Sequence, residues 1–182
     1  LVEELRYGEN PHQQGAIYSQ NKDFCLNKIH GKQLSYNNYN DIFSALNILK
    51  NLPKNRGTVI IKHANPCGIS IVKNKLDSFK YALAADPISA FGGIVSCNFK
   101  VTKTLAIELN KIFFEAIIAN GFDKDSLKIL KLKKNLRIID ATYLQLDEIF
   151  KFNSINNSIL IQSEDKKLLS KKNFQIVSKK KP

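Results

Sequence analysis

The 182-residue sequence has no apolar run long enough to span a bilayer, and its opening stretch, LVEELRYGEN, has neither the basic start nor the apolar centre of a signal peptide. A cytoplasmic location without membrane partners is therefore expected. Cysteine is scarce. Cys25, Cys67 and Cys97 are odd in number and include no Cys-x-x-Cys pair, which argues against a disulfide framework and against a zinc site. Acidic residues are also few, 16 against 28 lysines and arginines, giving a net charge of +12. That excess suits a polyanion in principle. The lysines gather late, in KILKLKK and the closing KKKP, without interleaved aromatics and without a helix-turn-helix, zinc-finger or RNP pattern. Solvated lysine faces are the better reading. A basic nucleic-acid-binding module stands as an alternative carried by charge alone, and anionic small substrates fit the same charge.

What is present is a core-forming chain: hydrophobic residues make up 43% of it, enough for one globular domain. Apolar spacing predicts helices over 39–52, 78–85, 104–113 and 126–133. Short β-branched or fully apolar runs predict strands at Thr58–Ile61, 93–97, Ala116–Ala119 and 137–139. This alternation implies an α/β fold, three-layered, with a mostly parallel sheet flanked by helices. Beyond Asp140 the pattern weakens. SILIQ (158–162) and FQIV (174–177) are expected to be strands joined by a lysine-rich excursion. No internal repeat is present.

Three segments carry chemistry rather than periodicity. RYGENPHQ, Arg6 to Gln13, puts a guanidinium, a phenol, a carboxylate and a histidine around an Asn-Pro turn with almost nothing apolar. KHANPCG, Lys62 to Gly68, directly follows TVII. Ligands in such sheets gather beyond the carboxyl ends of strands, so Lys62 offers a cation there and His63 a side chain of the type that changes charge near neutrality. The Asn65-Pro66-x-Gly68 sequence reads as the turn that aims them. DPISAFGG, Asp86 to Gly93, has paired glycines that permit a close backbone approach, or a tight turn that packs Phe91 into the core. KHANPCGIS also mimics the deaminase signature H-x-E…P-C-x-x-C. Asn65 stands where the glutamate belongs and Ser70 where the second cysteine belongs, so no metal is expected.

RYGENPHQ, GKQLSYNNYND (Gly31 to Asp41), KHANPCG and ADPISAFGGIVSCN (Ala85 to Asn98), in that order, resemble the formyltransferase region of the AICAR formyltransferase/IMP cyclohydrolase family. FFEAIIAN, LKILKLKKNLRII and FQIVSKKKP extend the resemblance along the whole chain; Asn120 departs from the usual proline. The resemblance implies a cytidine-deaminase-like subdomain without zinc, and a chain that is the N-terminal part of the transferase domain. The cyclohydrolase domain and a second transferase subdomain are absent from it. It implies formyl transfer from 10-formyltetrahydrofolate to the 5-amino group of AICAR, with Lys62 and His63 catalytic. Arg6, Tyr7, Asn38, Asn65, Gly92 and Glu115 are implied to bind substrate, with the nucleotide phosphate held by Arg6 and Tyr7. A homodimer with the site at its interface is implied as well. Asn38 can instead cap a helix and Glu115 be an exposed charge; His12 reads as a loop residue and His30 as a surface one. Half a site leaves two readings of the chain alone: the nucleotide-binding half of an enzyme, inactive by itself, or a non-catalytic half-domain.

Overall fold

The computed structural model describes residues 1–19, 26–146, 150–165, 175, 177 and 179. They form two compact units, Leu1–Leu144 and Gln145–Pro182.

In the first unit, β1 (Glu3–Leu5) and β2 (Gly15–Ile17) pair antiparallel and hold RYGENPHQ between them as a closed loop. The main sheet has six strands: β3 (Lys28–His30), β4 (Thr58–Lys62), β5 (Asn65–Ser70), β6 (Ile94–Cys97), β7 (Ala116–Ala119) and β8 (Arg137–Asp140), in the order β3-β8-β7-β6-β4-β5. β6, β7 and β8 are parallel neighbours, β4 runs antiparallel to both β5 and β6, and β3 runs antiparallel to β8. Four strands, β5 to β8, thus point one way and two the other, so the expected α/β sheet is present in mixed form.

Alternation along these short strands sends side chains to two helical layers. Ile60, Val95, Cys97, Ile117, Ala119 and Ile138 pack with Phe79, Leu105, Leu109 and Leu130 from α2 (Lys75–Ala85), α4 (Lys103–Asn110) and α5 (Lys124–Leu130). Val59 and Ile61 face the other way, onto Ala45 and Leu49 of α1 (Tyr36–Leu49). Burial on both faces explains why TVII, IVSC and AIIA are apolar throughout rather than alternating. Burial also pushes the Cys97 thiol up to about 12, with the Thr58 hydroxyl 3.8 Å from its sulfur.

Two helices start three residues before the positions expected from apolar spacing, at Tyr36 and Lys75, because of their caps. In α1 the Ser35 hydroxyl accepts from the Asn38 N–H and the Asn38 side chain accepts from the Ser35 N–H, a capping box. In α2 the Asn74 side chain accepts from Leu76 and Asp77.

Two local expectations are corrected. Asn65-Pro66-x-Gly68 is not the turn but strand β5, an edge strand where a proline without an N–H is tolerated. Gly68 serves helix packing there: a Cβ would lie 1.8 Å from the Ala82 carbonyl oxygen of α2. The reversal falls instead on His63 and Ala64, at φ 52° and 59°, between the paired residues Lys62 and Asn65. Phe91 is not in the core. It follows α3 (Pro87–Ala90), is exposed, and packs its ring 5.4 Å from that of Phe113.

In the second unit, β9 (Lys151–Ile155) and β10 (Ser158–Gln162) form an exposed antiparallel hairpin around Asn156, which has φ 48°. SILIQ is a strand, as expected, and its partner is Lys151–Ile155; Phe174 and Ile176 of FQIV lie outside the described residues.

Candidate functional site

β4 carries Lys62 to one edge of the sheet, and because β4 is antiparallel to β6, that edge is where β6, β7 and β8 begin. The site therefore sits beyond the carboxyl end of β4 and the amino ends of the parallel strands, not at carboxyl ends throughout. Gly92 and Gly93 precede β6, Glu115 precedes β7, and Arg137 opens β8. From Arg137 to Lys62 is three strand spacings, about 14 Å.

At the Lys62 end, the ammonium donates to the Phe91 carbonyl at 2.8 Å, which fixes the side chain and leaves two of its three hydrogens for a ligand. The His63–Ala64 turn is pinned from two sides: the Ala64 N–H donates to the Asp41 carboxylate of α1 at 2.6 Å, and the Asn65 amide donates to the His63 carbonyl at 2.9 Å. Two non-glycine residues held at positive φ suit a type I′ hairpin at a cost of about 1–2 kcal/mol each. That strain sits on the candidate catalytic histidine, whose side chain is exposed. Gly92, at φ 75°, donates to the Phe113 carbonyl at 2.8 Å and so holds the 86–93 segment against the start of β7. Beside it, Asp86 caps α3; hydrogen bonds from Ser89, side chain before backbone, hold its carboxyl below the usual range. Cys67 is half-buried, and burial foremost, then Asp86, pushes its thiol up.

In the middle, Asn38 and Glu115, 77 residues apart in sequence, meet. The buried Asn38 amide donates to Glu115 Oε2 at 2.7 Å while its oxygen completes the helix cap, so one side chain both caps α1 and anchors the Glu115 carboxylate. Glu115 is not a bare helix-end charge: Arg137 Nη1 lies 3.5 Å from the same oxygen.

At the far end, Arg6, Tyr7, Lys32, Gln33, Leu34, Ser35 and Arg137 line a cleft of about 230 Å³. Arg6 lies over the Tyr7 ring, 5.5 Å from its centre. The β1–β2 hairpin is moored around the start of α1 by three hydrogen bonds: Gln33 and Tyr39 to the Glu3 carboxylate of β1 at 3.0 and 2.9 Å, and Asn37 to the Glu9 carbonyl of the loop at 3.1 Å. Within it, Gly8 donates to the Gln13 carbonyl and Asn10 to the Gln13 side chain. His12 lines a second, larger cleft of about 650 Å³ on the same loop. His30, expected at the surface, is half-buried with its ring 3.2 Å from the Lys133 carbonyl.

Sequence reasoning missed Glu3, Lys32, Asp41 as a turn clamp, and Arg137. Arg137 was hidden in a lysine-rich run and becomes distinguishable only as the first residue of a strand whose neighbour begins after Glu115. With Arg6, Lys32 and Arg137 at one end and Lys62 at the other, the edge is receptive to an anion, with one paired carboxylate between.

Fold and site together define an α/β protein with a basic cleft at one end of its strand starts and a lysine at the other. More particularly, the chain belongs to the AICARFT/IMPCHase bienzyme family, whose model matches residues 1–182. It is 42% identical over 183 residues to the bifunctional purine biosynthesis protein PurH of Elusimicrobium minutum, covering all of this chain and 35% of that protein. Against PurH of Caldicellulosiruptor saccharolyticus the identity is 42% over 189 residues, with coverage of 100% and 36%. Against PurH of Aquifex aeolicus it is 40% over 185 residues, again with 100% and 36%. The chain thus spans about a third of the length of the curated relatives it matches.

Proposed function

We propose that this chain is the N-terminal part of an AICAR formyltransferase domain, in a bifunctional enzyme of purine biosynthesis that is also an IMP cyclohydrolase. It supplies the nucleotide-binding and Lys62–His63 portion of the site for formyl transfer from 10-formyltetrahydrofolate to the 5-amino group of AICAR. The observation that carries this reading is the spread of groups along one sheet edge, from the Arg6–Tyr7–Arg137 cleft through Asn38–Glu115 to Lys62–His63, about 14 Å in all. That length suits a nucleoside monophosphate laid across the strand starts. The family match along residues 1–182 supports the reaction.

In this arrangement Arg6 and Tyr7 hold the phosphate through a guanidinium fork and a phenolic donor. Asn38 and Glu115 face ribose hydroxyls or the base edge, with Asn65 and Gly92 closing the base end. The attacking amine is conjugated with the ring and its carboxamide, so it is a weak nucleophile that must shed a proton as it attacks the formyl carbon. His63 takes that proton, and Lys62 stabilises the oxyanion of the tetrahedral intermediate. The folate binds largely outside this chain, so the chain alone transfers little formyl group. A zinc-free, cytidine-deaminase-like subdomain, a homodimer with a shared site and a cytoplasmic location belong to the same reading.

Calorimetric titration of the 182-residue chain with AICAR tests it. Saturable 1:1 binding that Arg6→Ala weakens by about tenfold or more supports the reading. Absence of binding, or binding indifferent to Arg6, overturns it.

A further inference from the structure

Arg137 is assigned no role by the proposed chemistry, yet it reaches both the Arg6–Tyr7 cleft and the Glu115 carboxylate. Its Nε donates to the Gln33 carbonyl at 3.0 Å, which locks the guanidinium plane, and its side chain is only 14% exposed. Nη1 lies 3.5 Å from Glu115 Oε2, at the outer limit of a hydrogen bond, so its effect there is chiefly that of a nearby positive charge. The same side chain lines the Arg6–Tyr7 cleft. Among the described residues no partner meets its Nη2 nitrogen.

Three facts follow for Glu115. Asn38 and Arg137 both address Oε2, and Oε1 has no partner among the described residues, so one carboxylate oxygen is anchored and the other left with two open lone pairs. The Glu115 side chain is 41% exposed, open to a ligand. It also lies one strand away from Arg137, about 5 Å, so an anion in the cleft is near enough to repel it unless a cation stands between.

We infer that Arg137 is a positioning residue that makes the groove selective for ribonucleotides: it screens Glu115 from the bound phosphate and turns Oε1 toward the ribose 2′- and 3′-hydroxyls. The inference rests on the proposed nucleotide site and adds its sugar specificity. The order along the edge selects the diol over the base. Phosphate, sugar and base succeed one another in a nucleotide, and cleft, Glu115 and Lys62–His63 succeed one another along β8, β7, β6 and β4. A vicinal diol offers two donors to one acceptor oxygen, and a carboxylate that accepts them favours the diol-bearing ligand by about tenfold or more over an analogue lacking it. Lysine cannot substitute at 137, because a single ammonium lacks the planar fork that reaches Gln33 and Glu115 together.

The test compares AICAR with its 2′,3′-dideoxy analogue by calorimetry on the wild-type chain, Arg137→Gln, Arg137→Lys, Glu115→Gln and the double variant Arg137→Gln/Glu115→Gln. Each variant's thermal transition is recorded to confirm that it folds. The wild type is expected to prefer the ribonucleotide by about tenfold or more, and Glu115→Gln and both Arg137 variants to lower that preference to about twofold. The double variant should lose no preference beyond the single ones. If Arg137→Gln or Arg137→Lys weakens both ligands alike and keeps the tenfold preference, Arg137 is only a phosphate or structural contact and the inference is overturned. A wild-type chain that binds both ligands equally also overturns it, while leaving the proposed nucleotide site intact. A wild-type chain that binds neither overturns the proposed function itself. Should Arg137→Gln not fold, Arg137→Lys and Glu115→Gln decide the question.

Discussion

The Asn38 amide and the Glu115 carboxylate lie 2.7 Å apart across 77 residues of sequence, joining the first turn of α1 to the start of β7. The cap of α1 and the anchor of the Glu115 carboxylate are thereby the same side chain. Asn38→Ala removes the returning half of the capping box and one anchor of Glu115, and should cost about 1–2 kcal/mol in chemical denaturation. Asn38→Asp keeps an oxygen for the Ser35 N–H but sets it against a carboxylate. Buried charges are poorly screened by salt, so near neutrality it should destabilise the fold at least as much as Asn38→Ala, and it should bind AICAR more weakly. Equal binding by the two variants would show that Glu115 does not face the ligand.

In an enzyme of the relatives' full length carrying this segment, His63→Ala should lower kcat by about 10²- to 10⁴-fold with a smaller change in the KM for AICAR. Arg6→Ala should do the reverse, because a phosphate clamp acts on ground and transition states alike. Lys62→Ala should affect both parameters. Steady-state kinetics across the pH range check the contrast; a His63→Ala enzyme with near-normal kcat assigns the proton transfer elsewhere.

Two left-handed positions should both favour glycine over alanine, so opposite exchanges there should have opposite signs. Ala64, at φ 59°, bears about 1–2 kcal/mol of strain that Ala64→Gly relieves, against about 0.4–1 kcal/mol of added unfolded-chain entropy. The net expectation is a gain of about 0.5–1 kcal/mol. Gly92→Ala, at φ 75°, meets only Phe113 ring carbons at 3.6 and 3.8 Å, so sterics are mild and the backbone decides. A loss of about 0.5–1 kcal/mol is expected. Thermal melting of both variants checks the signs.

Asp123 caps two helices: its carboxylate accepts from the Ser126 N–H of α5 and the Lys103 N–H of α4, whose own cap residue Thr102 makes no side-chain cap bond. The Ser126 N–H foremost holds its carboxyl below the usual range. A lowered folded value means that the stabilisation is present above the unfolded value near 3.9 and is lost as the pH falls through the folded one. Asp123→Ala should cost about 1–2 kcal/mol at pH 7. Asp123→Asn, which keeps an acceptor, should differ from wild type at pH 7 and converge with it at pH well below 3.9. A difference that persists unchanged in acid would contradict the charged-cap assignment.

Much of the fold was legible because buried strands announce themselves: Ala116–Ala119 is apolar at every position and was located to the residue. Helix starts were less so, since Ser35 and Asn74 cap from outside the apolar stripe. Strands β1, β2 and β3, of three residues each, leave no period to read. β5 reads as a turn in the sequence because Pro66 and Gly68 are turn residues in isolation. Only its edge position and the approach of the Ala82 carbonyl explain them in a strand. At the site, Arg6, Tyr7 and His63 stand in loops whose polarity no core requires, and Lys62 closes the apolar run of β4 with a charge, so all four are visible in the sequence. Arg137, Lys32 and Glu3 acquire meaning only through strand order and the mooring of the β1–β2 loop.

The most direct test of the sheet-edge groove is an amide NMR titration of the 15N-labelled chain with AICAR. The largest shifts are expected at Tyr7, Asn38, Lys62, His63, Gly92 and Glu115, all along the edge where β6, β7 and β8 begin. Shifts confined to the opposite edge, around Gly57, Asn98 and Asp140, or to the Lys151–Gln162 hairpin, would contradict it.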